Sequence, residues 1–334
     1  MRIALLAPLR FPIAEPFHGG LEMHTHLLAK GLVAAGHEVT LFAHPDSDFI
    51  GQLTACSMPA EAGLLGQTLA YRKAMLAIRR GNFDAVHNNS IHWLPPLLAG
   101  GLRCPVVTTL HTPPYRTLRW AGRFSRAANH TFVSISQHLH DDWAAYVGPH
   151  KVVHNGIDVA RWPLGTAPVP GTAVWYGRFT PEKGAEYAIA AAREAGYSLT
   201  LAGPVYDQVY FDEKIAPELD SQITYAGHLR QEELAAVVGK AAVGIVTSVW
   251  DEPFGLVYVE IPACGTPVAA FASGAAAEIV TPATGAIVPK YDTGALAQVL
   301  GTLTGGDRAE RRLAVRERFG VRRMIERYEA LYEH

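Results

Sequence analysis

Short, unbroken apolar runs alternate with segments of helical period along the whole chain. Residues 2–8 are a first run, closed by Pro8. Leu21, Leu27, Leu28, Leu32 and Val33 then recur at helical spacing and predict a helix over 21–35, stopped by Gly36. Residues 37–43 (HEVTLFA) alternate as a strand. This strand–helix–strand unit is the building block of a parallel sheet. Further strands are expected at 83–87, 105–110 and 131–136, with a helix over 64–80. A stretch rich in Pro and Gly at 161–170 reads as a linker. After it the pattern restarts, with strands at 173–176, 198–203, 223–227, 241–250, 268–271 and 285–289 and a helix at 232–240. Continuous apolar strands belong to sheets covered on both faces. The tail, 308–334, predicts a helix with an apolar stripe of Phe319, Met324, Ile325, Tyr328 and Leu331. The pattern predicts an α/β protein of two doubly wound, Rossmann-like parallel-sheet domains, 1–163 and 171–315, facing a central cleft.

Composition narrows this. A length of 334 residues suits two domains of ordinary size, and 49% hydrophobic with 18% charged residues is a globular balance. A net charge of −2 argues against a general nucleic-acid binder. Three cysteines with no C-x-x-C pair fit a reducing, cytoplasmic setting and no structural zinc. The first apolar run is too short for a secretory signal, and no run of eighteen apolar residues occurs. The first loop lacks G-x-G-x-x-G, which disfavours a dinucleotide site. Asp46-Ser47-Asp48 matches a metal-binding triplet of some transferases, but its place after a strand reads as a solvated turn.

The densest chemistry lies at 250–267, WDEPFGLVYVEIPACGTP. Pro253 disfavours helix at Glu252 but suits a first helical turn, so a helix is expected to start near Pro253 or Phe254. Glu260 would lie about two turns in. Gly255 would leave the first turn open to a ligand, and the amides of Phe254, Gly255 and Leu256 would form an anion site. Two carboxylates for hydroxyls beside a phosphate cradle are what a sugar nucleotide needs. Arg178 and Lys183, five apart at a strand–helix junction, can neutralise a diphosphate. His111 closes a strand, where doubly wound sheets place ligands.

The string E-P-F-G-L-V-Y-V-E followed by A-C-G-T-P-V resembles the signature of the family 4 retaining glycosyltransferases, of GT-B fold. Y-G-R-F-T-P-E-K-G, T-L-H-T-P and V-V-H-N-G-I-D resemble further family strings, so the likeness covers nearly the whole chain. It departs at S-G-A-A-A-E, where Ala275 stands in place of a usual glycine between Gly274 and Glu278. The resemblance implies sugar transfer, with retention, from a nucleoside diphosphate sugar, UDP first and GDP second. The acceptor is a glycan, a lipid or a small metabolite. The donor is a co-substrate, with neither cofactor nor metal required. It implies that Glu252 holds donor sugar hydroxyls, Glu260 the ribose and His111 the sugar. Gly227, His228 and Leu229 would read the base. Gly19 and Gly20 would approach donor phosphate or acceptor, with His18 and Glu22 flanking. Relatives send the last helix, 316–334, back to the first domain. In lipid-modifying relatives a basic helix meets anionic lipid, as Arg72, Lys73, Arg79 and Arg80 would here; a solvated face explains the same pattern. A phosphorylase, a sugar-nucleotide epimerase and a non-catalytic nucleotide-binding subunit remain alternatives.

Overall fold

The computed structural model describes all residues except 59, 60, 126, 166, 304 and 334. The chain divides into two compact units, Met1–Gly156 with Val321–His334, and Ile157–Gly320.

The first unit holds β1 (Arg2–Leu6), α1 (Gly20–Ala34), β2 (Glu38–Ala43), β3 (Gln52–Ala55), α2 (Leu64–Arg80) and β4 (Ala85–Asn88). It continues through α3 (Leu94–Leu98), β5 (Val106–Leu110), α4 (Arg116–Phe124), β6 (His130–Ser134), α5 (Gln137–Val147) and β7 (Lys151–Val152). Its sheet runs β3-β2-β1-β4-β5-β6-β7, parallel throughout. β4 and β5 are wholly buried, as the unbroken apolar runs require. On α2 the cations Arg72, Lys73, Arg79 and Arg80 are exposed, while Tyr71, Met75 and Ile78 face the core. Asp46-Ser47-Asp48 fastens the loop after β1. Ser47 Oγ accepts from the Ile13 amide at 2.9 Å, and the Asp48 amide donates to the Ile13 carbonyl at 3.1 Å.

The second unit holds β8 (Val169–Tyr176), α6 (Ala185–Ala195), β9 (Ser198–Ala202), the single turn α7 (Gln208–Tyr210), β10 (Ile223–Tyr225), α8 (Gln231–Lys240) and β11 (Ala241–Val246). Then come α9 (Val257–Ala263), β12 (Val268–Phe271), α10 (Ala276–Ile279), β13 (Gly285–Val288), α11 (Thr293–Thr302) and α12 (Arg308–Phe319). Its parallel sheet runs β10-β9-β8-β11-β12-β13. The strand order reverses between β8 and β11, the place where open α/β sheets bind ligands.

The chain then re-enters the first unit as α13 (Val321–Tyr332). Met324, Ile325, Tyr328 and Tyr332 join the core formed by Ile3, Leu5, Leu28 and Leu32. Gly31 on α1 permits this contact, because a Cβ there would sit 2.6 Å from the Ile325 side chain. The expected single tail helix is thus two helices, broken at Gly320. Its stripe is split as well: Phe319 packs edge-on against Phe254 of the second unit, at 5.8 Å between ring centres.

The unit boundary also differs from the expected end of the first domain at residue 163. The segment after Gly156 is bonded into the second unit. The Ile157 amide donates to the Phe319 carbonyl, Trp162 stacks on Tyr176 at 6.4 Å, and the Gly165 amide donates to the Cys264 carbonyl. Arg312 bonds the carbonyls of Val159, Trp162 and Ala263. The expected linker is therefore part of the second unit's wall.

Candidate active site

In the second unit, three glycines sit at the carboxyl ends of adjacent strands. The Gly177 amide donates to Ala202 and the Gly203 amide to Gly227. Gly203 has φ +138°, and a Cβ on it would lie 1.9 Å from the Gly177 carbonyl oxygen. Gly227 also has positive φ, +80°, but a Cβ there meets nothing within 4 Å. Gly203→Ala is therefore expected to cost about 3 kcal/mol or more through backbone clash and strain together. Gly227→Ala should cost only about 1–2 kcal/mol of strain. Urea unfolding midpoints check this, and equal losses would contradict the close approach. His228 is exposed and Leu229 partly exposed just after this row.

Beyond Gly177, Arg178 reaches into solvent with its guanidinium 5.3 Å from the Tyr206 ring centre. Lys183 closes a short turn, Pro181–Lys183, before α6. From the other side of the strand-order reversal, the loop after β11 brings Ser248 and Glu252. Lys183 Nζ donates to Glu252 Oε1, which also accepts from Ser248 Oγ at 2.9 Å. The two residues were expected in separate roles; the fold makes them an ion pair with Glu252 8% exposed. Lys183 is therefore already part-neutralised, rather than a free cation. The Glu252 backbone is fixed from a third loop, where the Ala275 amide donates to its carbonyl at 2.9 Å. Ala275 has φ −74°, so no glycine is needed there, and its departure from the family string leaves the loop intact.

The helix after Glu252 starts later than expected. α9 begins at Val257, so Glu260 lies in its first turn, not two turns in. Gly255 has φ +76°, outside the helical region, and a Cβ there would be 2.4 Å from the Tyr258 ring. Its missing side chain makes room for Tyr258, not for a ligand. Phe254 is fully buried against Phe319, so its side chain anchors the turn. Leu256 caps α9, and its carbonyl accepts from the amides of Val259 and Glu260.

Glu260 Oε2 accepts a 2.8 Å hydrogen bond from the Tyr176 hydroxyl at the end of β8. Burial pushes the Glu260 carboxyl up to about 7, against the lowering effect of that bond. Tyr176 and Ser248 escape a reading of the sequence. A tyrosine at the end of a strand next to Gly177-Arg178 was the one available signal.

In the first unit, His111 follows β5 and is buried. Its Nε2 lies 3.1 Å from Asn89 Oδ1, an acceptor, so Nε2 carries the proton. Burial, then the nearby His24 and His87, hold its pKa well below the usual histidine range. The ring is neutral, and Nδ1 is left as an acceptor. His87 continues the network: Nδ1 accepts from Tyr332 at 2.6 Å and Nε2 faces Thr109 at 2.8 Å and Asn89 at 3.1 Å. Tyr328 meets Thr109 at 3.1 Å. The returning helix α13 thus holds His87, which bonds Asn89, the partner of His111. Gly19 and Gly20 are exposed at the start of α1, with Gly19 extended at φ −173°. A Cβ on Gly19 would stand 3.5 Å from the Glu22 carboxylate, so this loop lies over an acid. Among the described residues no group of three His, Cys, Asp or Glu is placed to hold a metal ion. No described helix is long and apolar enough to cross a membrane.

Two doubly wound units, with Arg178, Lys183 and Glu252 gathered where the second sheet reverses its order, give an α/β protein with a candidate ligand site at that reversal. Residues 18–161 match the family described as Glycosyltransferase Family 4, and residues 158–317 match Glycosyl transferases group 1. The chain is 30% identical over 319 residues to glycogen synthase of Mycobacterium tuberculosis, covering 78% of this chain and 76% of that one. It is 28% identical over 315 residues to phosphatidyl-myo-inositol mannosyltransferase of Propionibacterium freudenreichii, covering 84% and 80%. Anabaena HepE, solved with UDP and glucose, superposes with a TM-score of 0.77 at 20% identity, covering 100% of both chains. This chain belongs to the family 4 glycosyltransferases, and it is an enzyme of GT-B fold.

Proposed function

We propose that the enzyme transfers a sugar, with retention at the anomeric carbon, from a nucleoside diphosphate sugar to a hydroxylated acceptor. UDP is the first choice of nucleotide and GDP the second. The observation that carries the reading is the meeting of Lys183 and Glu252 from the two loops that flank the strand-order reversal, with Arg178 on the first of them. A diphosphate entering there takes Lys183 and Arg178 as partners. Glu252, released from part of its pairing, accepts from donor sugar hydroxyls, and Glu260 accepts from the ribose. Backbone groups at Gly227, His228 and Leu229 border the base, and the amides of Phe254, Gly255 and Leu256 complete the phosphate surround. His111, neutral and with Nδ1 free to accept, takes a hydrogen bond from a sugar hydroxyl. The Gly19-Gly20 loop approaches donor phosphate or acceptor.

In the reaction the anomeric carbon–phosphate oxygen bond breaks and the nucleoside diphosphate leaves. The acceptor oxygen bonds the anomeric carbon from the same face, and its proton passes to the departing phosphate oxygen. Arg178 and Lys183 stabilise the charge that grows on that phosphate, which is the role a metal ion fills in other transferases. Activity is therefore expected to persist in excess EDTA; loss there, restored by Mg²⁺ or Mn²⁺, would refute metal independence. Thermal unfolding against UDP, GDP, TDP and ADP tests the donor. A ligand at a hundred times its Kd stabilises by about 2.7 kcal/mol, a shift of roughly 5–10 °C. A shift largest with UDP is expected, and one largest with ADP would overturn the choice.

A further inference from the structure

The first unit carries a second concavity that the site above does not use. It has a volume of about 830 Å³, within the range of pockets for small organic ligands. Its walls come from α4, from Trp93 ahead of α3, from Leu64 at the start of α2 and from Tyr146 on α5. α4 begins five residues after His111, and Trp93 lies four residues after Asn89. The pocket therefore grows from the same strand ends, β4 and β5, that hold the His111 network.

Its chemistry is two-sided. Arg116, Arg119 and Arg123 recur at i, i+3 and i+7 along α4, so they share a face. The Arg119 and Arg123 guanidinium groups lie 5.5 and 5.3 Å from the Tyr146 ring centre, and Arg119 donates to the Tyr146 hydroxyl at 3.3 Å. Both forks are thereby oriented. Against them stands an aromatic wall: Trp120 meets Trp93 at 6.2 Å and Phe124 at 5.2 Å. Trp120 is 53% and Phe124 65% exposed, large apolar surfaces left in water beside cations. Among the described residues no carboxylate lines the pocket. A planar arginine fork suits phosphate, and an apolar wall suits a chain or ring. Neither half alone explains the other.

We propose that this pocket binds an anionic amphiphile, a phosphate-type group joined to an apolar moiety, as the acceptor side of the reaction. Its role as acceptor rests on the glycosyl-transfer reading; the binding does not. Calorimetric titration of the whole protein with hexyl phosphate, hexanol and inorganic phosphate tests it. Hexyl phosphate is expected to bind at least about ten-fold more tightly than either part. Trp120→Ala and Arg116→Gln, both at exposed side chains, should each weaken it about ten-fold. The UDP-induced thermal shift of each variant reports whether it is folded. Equal binding of hexyl phosphate and inorganic phosphate, or unchanged affinity in both folded variants, would overturn the proposal. So would binding to phosphatidylglycerol vesicles with no affinity for hexyl phosphate, which would make this a membrane face. A wild-type protein that binds hexyl phosphate but shifts with no nucleotide would sink the donor reading and leave this one standing.

Discussion

Lys183→Ala is expected to lower the rate of nucleotide release from the donor about 100-fold or more, with a loss of fold stability alongside. The two effects share one cause. Lys183 is the ion-pair partner of Glu252, whose side chain is nearly buried. Without the ammonium, that carboxylate keeps Ser248 as a donor but no cation in contact. Leaving a buried charged group short of a partner costs on the order of 1–3 kcal/mol. In the reaction the same ammonium would meet the leaving diphosphate, so its loss falls on the transition state as well. Glu252→Gln separates the terms: it removes the buried charge and frees Lys183. The double variant should then be more stable than Lys183→Ala alone, yet no faster. Arg178→Ala, exposed over Tyr206, should slow release to a similar degree without the stability loss. Near wild-type turnover in both single variants would remove the diphosphate assignment.

Glu260→Gln is expected to make the ligand-free protein more stable above pH 7 while weakening UDP about ten-fold. Glu260 titrates near 7 in the folded protein against an ordinary 4.5, because burial penalises its charged form. An acid raised in this way favours folding while protonated. Its contribution is whole below about 4.5, where folded and unfolded chains both hold the proton. It is lost as pH rises through about 7, by an amount on the order of 3 kcal/mol. Glutamine has no proton to lose and can still accept from Tyr176. Urea unfolding at pH 5 and pH 8 should therefore show the variant gaining on the wild type as pH rises. A parallel pH dependence in the two proteins would contradict the buried, raised carboxyl. The weaker UDP binding follows from the proposed ribose contact, since a carboxylate is the stronger acceptor for two hydroxyls.

What the sequence displays locally, it displays well. The apolar runs mark the sheet strands β1, β5, β8, β11 and β12, and the glycine, arginine and lysine of 177–184 announce a strand–helix junction. What depends on distant partners is hidden. Lys183 and Glu252 are 69 positions apart, and neither residue type declares that it will pair. Gly255 looks like an opening for a ligand until the Tyr258 ring is seen in that space. The helix start near Pro253 follows local preference, and the left-handed Gly255 overrides it. The tail reads as one amphipathic helix because Phe319 and Met324 are both apolar; only packing shows that they serve different cores. The stretch RTLRWAGRF buries only Leu118, Ala121 and Gly122, and nothing in its pattern tells that Trp120 and Phe124 stay at the surface beside the arginines.

The return of α13 has a consequence for how the protein is made. Tyr328 and Tyr332, fully buried in the core that also holds Ile3 and Leu5, are synthesised only after the whole second unit. At about 5–20 residues per second, the first unit must wait on the order of ten seconds, while the whole second unit is synthesised, before its core can close. Its early strands spend that interval with the face meant for α13 in water. The second unit is contiguous and has no such wait. Of the two units, the one whose synthesis starts later is therefore the one able to finish first.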